Sequence, residues 1–113
     1  MNILSQLMIT FEPVGLPVET GYFSGTPPDE YIVLIPIVDR LELYADNLPQ
    51  AQTEEIRLSV FTKNNYLNLR NQFTRLLLGA GFSITDRRYI GFEEDTKYHH
   101  YAIDVMKEYE MEV

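Results

Sequence analysis

Apolar and polar positions alternate most regularly over residues 82–109, FSITDRRYIGFEEDTKYHHYAIDVMKEY. Period-two alternation rich in aromatic and β-branched residues marks a strand with one buried face. The pattern predicts an antiparallel hairpin of Phe82–Ile90 and Tyr98–Tyr109, with the charged run Glu93–Thr96 as its tip. On the first strand Ile84, Asp86, Arg88 and Ile90 share a face, opposite Thr85, Arg87, Tyr89 and Gly91. On the second, His99, Tyr101, Ile103 and Val105 share a face, opposite His100, Ala102, Asp104 and Met106.

Elsewhere the period changes twice to that of a helix. Ile3, Leu4, Leu7, Met8 and Phe11 form one apolar stripe, ended by Pro13 and Gly15. Tyr66, Leu69, Phe73, Leu76 and Leu77 form another, with Asn64 or Asn65 to cap its start and Gly79 and Gly81 to end it. Between the helices, strands are expected over Leu16–Phe23, with Val18 and Tyr22 as anchors, and over Tyr31–Val38. The second of these is apolar on both faces, as in a strand covered on two sides, and Pro36 requires a bulge or a strand end. A shorter strand carries Leu41, Leu43 and Ala45, and Asp46–Gln52 reads as a polar loop. Glu54–Thr62 is a strand with Ile56, Leu58 and Val60 inward and Glu55, Arg57 and Ser59 outward. The order α-β-β-β-β-α-β-β implies an α+β fold: a mostly antiparallel sheet with two helices packed on one face.

At 113 residues the chain is expected to be one domain. It has no cysteine, so no disulfide, thiol nucleophile or thiolate metal site is available. No apolar run is long enough for a helical membrane span, and the start lacks the basic n-region of a signal peptide. A soluble, intracellular protein is expected. The net charge of −8 disfavours adhesion to DNA or to an anionic membrane, which need clustered Lys and Arg. It fits either a solvated acidic surface or the lining of a channel through which nucleic acid slides.

Chemistry is sparse. The six glycines form no phosphate-cradling loop, and Ser, Thr and His form no nucleophile constellation. His99 and His100 are adjacent on a strand, so they diverge and are poorly placed to share a metal ion. Asp86, Arg87 and Arg88 read as ion pairs within an acidic sheet. The many tyrosines and phenylalanines exceed what a small core needs, which suggests a protein–protein surface. A binding protein without cofactor or metal is expected rather than an enzyme.

Three segments, DRRYIGFEEDTKYHHYAIDVMKEYE (Asp86–Glu110), LELYADNLPQ (Leu41–Gln50) and EEIRLSVFTKNNYL (Glu54–Leu67), together resemble a family of small structural proteins of long-tailed bacteriophages and Gram-positive prophages. These belong to the tail-completion and tail-terminator group, also described as minor capsid or head–tail joining proteins. The resemblance implies a virion protein, made in the host cytoplasm, that forms a ring, commonly of six, at the head-proximal end of the tail. Its implied partners are further copies of itself, the tail-tube protein and the head connector, with DNA only passing through the lumen and no membrane involved. No catalytic residue carries over. Candidate protein-interaction residues are Arg87, Arg88, Glu93, Glu94, Asp95 and Tyr98. The alternative is a monomeric acidic accessory or regulatory protein, for example an inhibitor whose surface mimics nucleic acid.

Overall fold

A computed structural model describes residues 2–43 and 49–110 of the protein. Asn2 starts helix α1 (Ile3–Phe11): its side chain accepts from the Ser5 N–H at 2.9 Å. The Ile3 N–H, one of the donors a helix start leaves unpaired, donates to Glu54 Oε2 at 2.9 Å. Ile3, Leu7 and Phe11 are buried with Leu4 beside them, whereas Met8, expected in the same stripe, is 45% exposed. A 3-10 turn, Glu12–Val14, closes the helix, and Gly15 follows in the left-handed region.

The first strand, β1 (Val18–Thr20), is shorter than the expected Leu16–Phe23. Gly21, at φ +85°, donates to the Leu34 carbonyl and then leaves the sheet, so Tyr22 is exposed rather than an anchor. Strands β2 (Glu30–Leu43) and β3 (Pro49–Thr62) make a long antiparallel ribbon. Two strands had been expected over 31–45, but β2 runs unbroken through residue 43, which leaves five strands among the described residues instead of six. A bulge between Pro36 and Val38 is the reason: one extra residue absorbs the missing proline donor, and the ladder resumes with Val38 opposite Glu55. Pro49–Gln52, expected in a loop, belong to β3; Ala45 and residues 46–48 lie outside the described residues.

Helix α2 (Tyr66–Gly79) starts at Asn65, whose side chain accepts from the Leu67 N–H at 2.9 Å. Its end is a complete Schellman motif. The Phe82 N–H donates to the Leu77 carbonyl, the Gly81 N–H to that of Leu78, and Gly81 takes the left-handed φ of +90°. Phe82, just past the cap, is buried in the core.

Strands β4 (Ser83–Phe92) and β5 (His99–Glu110) pair as the expected antiparallel hairpin. Its turn is closed by the Lys97 N–H donating to Glu93 O and the Glu93 N–H to Tyr98 O, with Lys97 left-handed at φ +68°. The faces of β5 are as expected, but those of β4 are not. Ladder irregularities at Thr85 and Ile90 place Ile84, Arg87, Tyr89 and Phe92 opposite Val105, Ile103, Tyr101 and His99, on the helix side. Asp86 and Arg88, opposite Asp104 and Ala102, lie on the other side, so Ile84 and Asp86 do not share a face. Each bulge adds a residue and resets the alternation.

Among the described residues the sheet order is β1-β2-β3-β5-β4, with only β1 and β2 parallel. Both helices pack on one face, giving an α+β fold. Ile32, Leu34, Leu58, Ile103 and Val105 meet the helices in the core, where Phe73 of α2 packs edge-on against Phe11 of α1 at 5.1 Å. At the rim of this core the Tyr109 hydroxyl donates to Gln6 Oε1 at 2.7 Å. Burial, helped by the Glu54 carboxylate, pushes its pKa up to about 12. The native phenol therefore keeps its proton where the unfolded one ionises, so stability is expected to fall as pH rises from about 10 to about 12. Urea midpoints measured across that range should flatten in Tyr109→Phe relative to wild type.

Candidate functional site

Among the described residues, helices cover only one face of the sheet, and the residues that alternate with the core build the other. In β2, Tyr31 and Val33 point away from Ile32 and Leu34 and join Tyr98 in a second cluster, with Phe23 and Phe61 packed on it. Phe23, Tyr31, Phe61 and His100 follow one another across the strands at ring separations of 4.7, 4.7 and 4.3 Å. The cluster includes the loop before β2, because the Tyr98 hydroxyl donates to the Pro28 carbonyl. Lys63 stands 4.9 Å from the Tyr98 ring and donates its backbone N–H to the Asp29 carbonyl.

Toward the other end the same face becomes ionic. Arg57 grips Asp104 with two hydrogen bonds, Nε to Oδ1 at 2.8 Å and Nη2 to Oδ2 at 3.1 Å. Asp104 faces Asp86 across the β4–β5 ladder, and Asp86 in turn accepts from Arg88 Nε at 2.7 Å. The row Arg57, Asp104, Asp86, Arg88 thus has a cation at each end of two facing carboxylates. Thr85 adds a hydrogen bond to Glu55 at 3.0 Å.

The candidates from sequence do not converge on one spot. Glu93, Glu94 and Asp95 are exposed at the hairpin tip. Arg88 is on the helix-free face, whereas Arg87 is on the helix side, donating to Thr74 Oγ1 at 3.3 Å. Tyr98, expected at an interaction surface, is only 4% exposed: it holds the loop before β2 against the sheet. His99 and His100 diverge as strand alternation requires. His99 meets Tyr66, Tyr89 and Phe92 on the helix side, with its Nδ1 2.9 Å from the Tyr89 hydroxyl. His100 stacks on Phe61 on the other side, where burial lowers its pKa against the opposing pull of Glu93, so the imidazole is neutral at neutral pH.

Among the described residues no three His, Asp or Glu side chains are grouped to hold a metal ion, and no helix is long and apolar enough to cross a membrane. What the helix-free face offers is contact: an aromatic end, an ionic end, and sheet edges on either side. The Arg57–Asp104 pair was missed because both residues merely read as outward-facing. Their joint signal needs the β3–β5 register, which no single segment contains. No family model matches this chain, and a search of curated proteins finds no relative for it.

Proposed function

We propose that this chain is a virion assembly protein of long-tailed phages, of the tail-completion or head–tail joining type, which closes into a ring at the head-proximal end of the tail. The observation that carries the reading is the pair of unlike edges, unpaired among the described residues, on opposite sides of one sheet. The β4 edge spans ten residues and exposes Tyr89, Ile90 and Phe92. On the other side, β1 covers β2 only from Ile32 to Leu34, leaving an outer edge that exposes Ile35, Ile37 and Leu41. Unlike edges that join head to tail repeat one rotation per subunit, and such contacts close into rings when that rotation divides a full turn. The bulges at Ile37, Thr85 and Ile90, with Pro36, interrupt both edges and disfavour pairing with arbitrary strands. In this reading the tail-tube protein docks on one side of the ring and the head connector on the other. The net charge of −8 keeps passing DNA from adhering.

Charge also governs when the ring forms, because it crowds acidic protomers within a Debye length of one another. That length shrinks from ~30 Å at 0.01 M salt to ~8 Å at 0.15 M, while apolar contacts depend on area removed from water. Sedimentation velocity across that range, with and without tail-tube protein, is expected to show association that strengthens with salt. The variant Glu93→Gln/Glu94→Gln/Asp95→Asn should associate at lower salt. Ile90→Lys, near the end of the β4 edge, should weaken association by about tenfold or more, the equivalent of at least ~1.4 kcal/mol. A wild-type protein that stays monomeric throughout, even with tube protein, overturns the ring. An oligomer that dissolves as salt rises overturns the repulsion argument instead.

A further inference from the structure

The two outer edges of the sheet match in charge as well as in form. A bulge puts two residues in the length of one, so each edge still reads as a row of alternating sides. Along β4 the helix side carries Tyr89, Arg87 and Ile84, and the helix-free side carries Gly91, Arg88 and Asp86. Along the outer part of β2 the helix side carries Pro36, Asp39 and Leu41, and the helix-free side Ile35, Val38 and Arg40. Asp39 is assigned to the helix side by its ladder partner Glu54, which accepts from the Ile3 N–H of α1. Direction matches too. β4 runs against β5, β5 against β3 and β3 against β2, so β4 and β2 are antiparallel within the sheet. A second copy that continues the sheet with its helices on the same side therefore brings an antiparallel β2 to β4.

We propose that β4 of one protomer pairs antiparallel with residues 35–41 of β2 in the next copy, in the register that sets Arg87 opposite Asp39 and Asp86 opposite Arg40. This rests on the ring reading and names its contact. Directly opposed residues of an antiparallel pair have Cβ atoms about 4.5–5.5 Å apart, close enough for each ion pair. In the same register Tyr89 meets Pro36 and Ile84 meets Leu41, which is 57% exposed in the free protomer. A shift of two residues one way sets Arg88 against Arg40, and the other way sets Arg87 against Pro36 and Asp86 against Val38. A shift of one would turn the helices of the two copies to opposite sides. Arg87 is exposed, and its hydrogen bond to Thr74, at 3.3 Å, is a long one. Beside the β2 edge, a cavity of ≈ 290 Å³ lined by Asp39 and Glu54 with Leu4, Pro36 and Ile37 offers the guanidinium a place. Contacts this short lie inside the ~8 Å Debye length of 0.15 M salt, so they survive the screening that relieves the longer-range repulsion.

The test is a charge swap read by sedimentation velocity of the full chain at 0.15 M salt, with and without tail-tube protein. Asp39→Arg and Arg87→Asp should each weaken association by about tenfold or more, because each sets like charges face to face at every contact. An equimolar mixture of the two variants should recover association, since alternating copies restore an opposite pair at both kinds of contact. Recovery also shows that both variants fold. Net charge alone predicts otherwise: Asp39→Arg makes the protomer less acidic and would associate more strongly than wild type. That result, or a mixture no better than its components, overturns the register. A second measurement leaves the charges in place. The chain has no cysteine, and residues 41 and 84 stand on opposite edges of one sheet, so oxidised Leu41→Cys/Ile84→Cys should give a ladder of covalently joined chains. Absence of that ladder, where wild type associates, overturns the register and leaves the ring standing. A wild type that stays monomeric even with tube protein overturns both.

Discussion

Replacing Phe73 by alanine is expected to destabilise the protein by about 3–5 kcal/mol, the usual cost of emptying a buried aromatic site. Phe73 is fully buried, and its ring meets Phe11 edge-on at 5.1 Å, so the deletion removes a contact between the two helices as well as area on the sheet. An aromatic pair of this geometry adds about 0.5–1.5 kcal/mol beyond burial. Against a total stability of roughly 5–15 kcal/mol for a domain, the loss is a large fraction. The control is Leu78→Ala on the same helix, where the side chain is 56% exposed and the change should stay within about 0.5 kcal/mol. Urea denaturation with an unchanged slope would assign both numbers to stability. A Phe73→Ala loss below about 1 kcal/mol would mean that α2 does not seat on the sheet as described.

The second large effect is an asymmetry. Arg57→Met should cost about 2–4 kcal/mol, and Asp104→Leu clearly less, although each breaks the same pair. The side chain of Asp104 is only 10% exposed and that of Arg57 34%, so a widowed guanidinium can turn to water while a widowed carboxylate cannot. The stranded carboxylate would also face Asp86 directly across the ladder with one cation fewer to offset them. The double variant Arg57→Met/Asp104→Leu should recover most of the loss, as apolar replacements of buried pairs often do. A double-mutant cycle in denaturant measures all three, and equal costs for the two single variants would overturn the argument.

How much of this was legible in the sequence depended on whether one segment held the whole signal. The hairpin was, because Tyr101, Ile103 and Val105 keep strict alternation on a strand with a fully covered face. Helix α2 was, because its stripe, cap and terminal glycines lie within 17 residues, Asn65–Gly81. The faces of β4 were not: alternation in the text runs straight through Thr85 and Ile90, and only the partner strand reveals that each is an extra residue. The length of β2 was obscured by Pro36, which looks like a strand end but sits in a bulge on an outer edge. Tyr98 looked like an exposed tyrosine because its neighbours Phe61 and Tyr31 arrive from β3 and β2. The aromatic cluster of the helix-free face was invisible for the same reason: Phe23, Phe61 and His100 come from three distant stretches.

The Arg57–Asp104 pair has a consequence for assembly of the sheet itself. β3 and β5 are its middle strands, yet they belong to different hairpins, so no turn aligns them. A slip of one residue would turn the core face outward and is strongly disfavoured. A slip of two residues keeps apolar against apolar and costs far less on the core side. On the other side, however, it would bring Asp104 opposite Glu55 or Ser59 and leave Arg57 against Met106 or Ala102. The ion pair thus works as a proofreader between two half-sheets, penalising the one misalignment that hydrophobic packing tolerates.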